Sequence, residues 1–213
     1  AEAIKGYRAA EVIGHHFGMF FTPADIAEGK PDHELAIATT EGRFEAEGWR
    51  VGAGGRRYWA AEQLSAIRDD RGSLVGYARI ARDLTEQVQQ KLLLDRAIEM
   101  APCGMLMVDA AGQIVLANAQ TETIFGYARA ELLGQPLEKL IPARWREQHA
   151  QLREGFLQSP SIRAMGVGRE LRALRRNGEE FPIEIGLSPI ESTGGTATLA
   201  TILALHLARS QFR

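Results

Sequence analysis

His149 stands on a stretch with helical spacing. Trp145, His149, Leu152 and Phe156 recur at intervals of four, three and four, so one helix face carries all of them. That face holds the large apolar side chains and is expected to point inward. Arg144, Arg146 and Arg153 flank it. An inward imidazole beside an apolar chamber, with arginines at the mouth, suits a haem iron and the two haem carboxylates. Further along, Arg169 opens the next strand and can reach the same chamber. A plainer alternative stays open. The ring can be a hydrogen-bonded core residue, with Arg169 paired to Glu170 or Glu154.

The other chemistry-bearing residues point to less. Cys103 is the single cysteine, which excludes an internal disulfide and reads as a small buried hydrophobe before a strand. His15 and His16 follow the turn at Gly14 and read as surface or partly buried. Trp49 and Trp59 fall on adjacent strands and are expected to pack the sheet. The sequence contains no nucleotide-binding glycine box, metal-ligand cluster or Ser/His/Asp arrangement, so catalysis within these residues is not expected.

The elements that must position His149 occur twice. Gly6-Tyr7 with Glu11 and Gly14 returns 120 positions later as Gly126-Tyr127 with Glu131 and Gly134. Gly54-Gly55-Arg56-Arg57-Tyr58-Trp59 answers Asn177-Gly178-Glu179-Glu180-Phe181-Pro182. A repeat of this length means tandem domains rather than a solenoid. In the second copy a hairpin is expected from Gly104 to Asn118, then short helices and a helix from Pro142 to about Leu157. Strands follow at Arg169–Leu174, Glu180–Leu187 and Thr196–Ala204. The first copy repeats this from its short helices, with strands at Phe44–Val51, Arg57–Ile67 and Leu74–Ile80. It lacks the opening hairpin, so its first domain is expected to be truncated. The fold class expected is α+β, two antiparallel sheets of five strands with helices on one face.

The divisions expected are residues 1–83 and 101–207 as domains, 84–100 as a linker helix, and 208–213 as the start of an outgoing helix. Leu84, Val88 and Leu92 give the linker an apolar stripe. That stripe suits either a solvated helix or one paired with its twin in a homodimer. With 25 basic and 27 acidic side chains, the chain offers no basic face for nucleic acid. The most apolar segment, Thr196–Ala208, is too short to span a membrane. A cytoplasmic location is the expectation.

Taken together, these marks resemble the PAS sensory-domain family over nearly the whole chain. The Gly-Tyr…Glu…Gly helix pair, Gly48-Trp49-Arg50-Val51, Asn177-Gly178 with Phe181-Pro182, and Asp83-Leu84-Thr85-Glu86 carry the likeness. The resemblance implies a sensory input module of a bacterial-type signalling protein, with a histidine kinase or cyclic-dinucleotide enzyme as effector outside these residues. It implies that Asp83-x-Thr85-Glu86 couples the sheet to the outgoing helix. The second copy has Ala204-Leu205-His206-Leu207 there instead.

The second copy is similar to haem-binding oxygen-sensor PAS domains. That likeness implies haem b with His149 as iron ligand and Arg169 donating to bound oxygen. Val167 takes the place of a ligating methionine and leaves a vacant iron position for a diatomic gas. Trp145, Leu152 and Arg153 would line the pocket. The rival reading is a pair of cofactor-free modules that dimerise and set spacing.

Overall fold

The computed structural model describes residues 1–165, 170–192 and 195–205. Arg169, Val167 and the expected outgoing helix at 208–213 lie outside them. The chain divides into two compact units, Ala1–Leu93 and Leu94–Arg213.

The first unit opens with short helices α1 (Glu2–Lys5) and α2 (Ala9–Val12), then α3 (Pro23–Ala27) and α4 (Lys30–Glu41). Gly6 ends α1 at φ 74°, a left-handed turn that its counterpart Gly126 repeats at φ 75°. Thr22 caps α3, its hydroxyl accepting from the Asp25 amide at 3.2 Å. Three strands follow, β1 (Arg43–Val51), β2 (Arg57–Arg68) and β3 (Leu74–Asp83), antiparallel in that order. Along β2 the buried positions alternate as Tyr58, Ala60, Glu62 and Leu64, the period-2 signature of a sheet with one covered face. Trp49 and Trp59 sit directly opposite each other on the outer face, rings 5.4 Å apart and edge-to-face.

Helix α5 (Thr85–Glu99) carries no buried residue, and Val88, Leu92 and Leu93 are exposed along it.

The second unit holds β4 (Gly104–Val108), β5 (Ile114–Ala117), α6 (Ala119–Phe125), α7 (Arg129–Leu132), α8 (Arg146–Gln158), β6 (Arg163–Met165), β7 (Leu171–Leu174), β8 (Glu180–Ser192) and β9 (Gly195–Ala204). The sheet runs β5-β4-β9-β8-β6, with β7 also on β8. The sequence predicts one strand at Arg169–Leu174. In its place, two segments share the β8 edge, β6 opposite Ile185–Leu187 and β7 opposite Glu180–Ile183. Strand β8 also runs past its predicted end at Leu187. Pro189 then falls where only β9 pairs with β8 among the described residues, a position that tolerates its missing N–H.

The core of this unit is hydrocarbon. Leu106, Ile114, Phe125, Leu132, Leu140 and Phe181 anchor it, and the Phe125 and Phe181 rings meet edge-on at 5.7 Å.

Candidate functional site

Helix α8 follows a 3-10 turn at Ala143–Trp145. The sequence predicts an inward face of Trp145, His149, Leu152 and Phe156. The structure rotates that face by one residue. Phe156 is buried, His149 and Arg153 are partly covered, and Leu152 is 53% exposed. Arg153 takes the inward place because its long stem can lie along the fold while its guanidinium reaches a carbonyl. Its Nη1 donates to the Ala110 carbonyl at 3.2 Å, over the tight turn between β4 and β5. Gly112 holds φ 87°, a left-handed conformation that favours glycine, and the Arg153 guanidinium lies against it, 2.6 Å from where a Cβ would stand.

The His149 side chain is 28% exposed, and its Nδ1 faces Glu138 Oε1 at 3.4 Å. Burial holds the imidazole below the usual histidine value; Glu138 pulls the other way and Arg153 adds to the lowering. Arg153 Nε also lies 3.7 Å from Glu138. The remaining arginines are engaged elsewhere. Arg144 pairs with Glu180 and stacks over Trp145, and Arg146 donates to the Ile141 carbonyl.

For haem, the donor chemistry fits: the ring is mostly buried, favoured neutral, and oriented through one nitrogen by a carboxylate. The described lining does not match the expectation. Leu152 faces away, and Arg153 covers the Gly112 turn rather than a chamber mouth. Among the described residues no group of three or more His, Cys, Asp or Glu side chains is placed to hold a metal ion.

A second arrangement joins strands to α5. The Trp59 amide donates to Thr85 Oγ1 at 2.8 Å, and the Thr85 amide and hydroxyl both donate to Asp83 Oδ1, at 2.9 and 2.5 Å. The Leu84 amide donates to the Trp59 carbonyl at 2.8 Å. The second copy keeps the last of these bonds, from Leu205 to Pro182 at 3.0 Å, without the threonine.

At the other end of α5, the wholly buried Asn118 donates from Nδ2 to the carbonyls of Ile98 and Cys103, each at 3.0 Å. Its Oδ1 accepts from the Met105 and Thr121 amides and from the Thr121 hydroxyl. Arg129 pairs with Glu99 nearby. Sequence reasoning missed Asn118, although an Asn just before a helix is an N-cap signal. It also missed the buried charges of the first unit, Arg50, Glu62 and Glu34. The register of β2 could have flagged Glu62, which sits between inward Ala60 and Leu64.

Among the described residues no helix is long and apolar enough to cross a membrane. Family comparison matches the PAS fold twice, over residues 1–89 and 92–205. Two-component system protein A of Emericella nidulans is 40% identical over 99 residues, which is 46% of this chain and 14% of that protein. The sensor protein FixL of Bradyrhizobium diazoefficiens is 24% identical over 165 residues, 74% of this chain and 33% of FixL. The oxygen sensor protein DosP of Escherichia coli is 24% identical over 106 residues, 50% of this chain and 13% of DosP. The chain thus spans a third or less of the length of these relatives. Among solved structures, the PAS domain of an HTR-like protein from Haloarcula marismortui aligns with 56% of this chain and 95% of its own, at 22% identity and a TM-score of 0.50. Two matched segments in tandem, each with its own antiparallel sheet and flanking helices, place this chain in the PAS fold family.

Proposed function

We propose that the chain is a signal-input module of a larger signalling protein, and that α5 is its transmitting element. The supporting observation is that α5 is bonded at both ends to groups inside a PAS unit: Thr85 to Trp59 and Asp83 at its start, Ile98 to Asn118 at its finish. A change in the first sheet that displaces Trp59 changes the first turn of α5, and a change in the last turn of α5 reaches β4 and α6 through Asn118. The helix is thereby a two-state element that an input biases. Its exposed Val88, Leu92 and Leu93 suit pairing with the same helix of a second copy. The likeness to a two-component system protein and to a sensor protein supports a signalling effector such as a histidine kinase. Fusion of the chain to a histidine-kinase core tests this. Thr85→Val and Asn118→Ala should each shift autophosphorylation at least threefold with the fold retained. Unchanged output in both would refute the relay.

Haem in the second unit is a second reading, favoured by the partly covered, neutral-leaning His149 imidazole beside Glu138 and by the likeness to the oxygen sensor DosP. His149 would hold the iron, and the group would supply a site for a diatomic gas. Glu138 would orient the ring. Haem titration of the purified chain should give a Soret band that His149→Ala abolishes. A chain that stays colourless in excess haem rules this reading out.

A further inference from the structure

The inner faces of the two sheets are built from opposite chemistry at matching places. In the first unit Arg50 pairs across the strands with Tyr58, and Leu64 with Arg79. In the second unit the corresponding pairs are Ala173 with Phe181 and Leu187 with Ala200. Ala173, Phe181, Ile185 and Ala200 therefore stand where the first unit has Arg50, Tyr58, Glu62 and Arg79. All four belong to or pack on the hydrocarbon core. The fold is thus made without charge at these positions.

In the first unit Arg50, Glu62 and Glu34 are 3%, 7% and 6% exposed, and Tyr58 is fully buried. Arg50 Nε donates to Glu62 Oε2 at 2.6 Å and its Nη2 to Glu34 Oε1 at 3.0 Å. Arg79 pairs with the same Glu62 oxygen and lies 3.8 Å from Glu34 Oε2. These bonds leave a remainder. Tyr58 OH, Glu62 Oε1, and Arg79 Nε and Nη1 are buried without a hydrogen-bond partner. Unmet buried polar atoms are costly, and a hydrocarbon replacement of a buried ion network is often neutral or stabilising. Stability alone does not account for this cluster.

We infer that the first unit binds a small 2-hydroxycarboxylate among Arg79, Tyr58 and Glu62. The leftover atoms match it group for group. The free N–H groups of Arg79 and the Tyr58 hydroxyl donate to a carboxylate, and Glu62 Oε1 accepts from the ligand hydroxyl. The balance of charge agrees. Arg50, Arg79 and Lys5 set three cations against the two carboxylates of Glu34 and Glu62, an excess of positive charge that an anionic ligand relieves. Burial pushes Glu34 up toward its neutral form and brings Lys5 down to about 8, which leaves the lysine mostly charged at neutral pH. Phe21 lies under both arginines, at 4.2 and 5.0 Å, and Phe20 under Lys5 at 3.6 Å, so aromatic faces hold the three cations in place. This inference depends on neither the α5 relay nor haem.

Calorimetric titration of the full chain with glycolate and lactate tests it, with acetate and chloride as comparison probes. Saturable binding of glycolate or lactate, at least tenfold tighter than acetate and absent for chloride, is expected. Tyr58→Phe should keep the fold, since Phe181 fills that place in the second unit, and weaken binding at least tenfold; Arg79→Gln should abolish it. The inference is overturned if neither hydroxy acid binds, if acetate binds equally, or if Tyr58→Phe binds as the parent does.

Discussion

The amide of Trp59 and the hydroxyl of Thr85 meet at 2.8 Å, joining the start of β2 to the first residue of α5. The hydroxyl spends its own proton on Asp83 and so receives the Trp59 proton on oxygen. Thr85→Val keeps the shape and removes both bonds. It should destabilise the first unit by about 1–3 kcal/mol, the cost of a covered donor left unmet. Thr85→Ser should recover most of that loss. Urea unfolding followed by tryptophan fluorescence reads both variants.

Asn118 is a larger liability. Asn118→Ala removes five hydrogen bonds at once, leaving the Met105 amide and the Cys103 carbonyl without these partners, while the Ile98 carbonyl keeps the Ala101 amide. A loss of about 3 kcal/mol or more is expected for the second unit. Asn118→Asp, which keeps the acceptor and loses both donors, should fall between. Thermal unfolding by circular dichroism ranks the three proteins.

His149 gives the second unit an acid-side weakness. Its folded value lies below the usual 6.5 because burial disfavours the charged ring, so the unfolded chain takes up the proton first. The contribution is fully present above the unfolded value and is lost as pH falls from there toward the folded one. The urea midpoint of the second unit should therefore decline between about pH 7 and pH 5. In His149→Gln that part of the slope should vanish.

Arg50 holds two carboxylates in the interior of the first unit. Arg50→Met removes the arginine that bridges both carboxylates and leaves Arg79 as their remaining partner, which should cost about 3–5 kcal/mol. Adding Glu34→Leu, Glu62→Ile and Arg79→Ala, which leaves no buried charge behind, should restore most of the loss, because the second unit has Ile185 and Ala200 at the Glu62 and Arg79 places. Denaturant unfolding of the single and quadruple variants decides this.

Much of the architecture was legible in the residues. The doubled Gly-Tyr motif announces two left-handed helix ends, at Gly6 and Gly126, and the alternation along β2 announces a one-sided sheet. The failures have physical causes. Helical spacing and apolar type point Leu152 inward, yet the stem and head of Arg153 fit the Gly112 turn better. Leu152→Gln should accordingly change stability by no more than about 0.5 kcal/mol. Strand β8 overran its predicted end because Pro189 reads as a stop, while its place opposite Thr198 asks for no second partner. The charged interior went unread because Arg and Glu are presumed to face water, although register put Glu62 inside.

The relay through α5 is tested most directly by hydrogen–deuterium exchange on Thr85→Val. If the helix links the two units, exchange should quicken at least tenfold at the Trp59 amide and at Val88 in the first turn of α5. It should quicken as well at Met105 and Thr121, whose amides bond to Asn118. Faster exchange confined to Trp59 and Thr85, with Met105 and Thr121 unchanged, would contradict it.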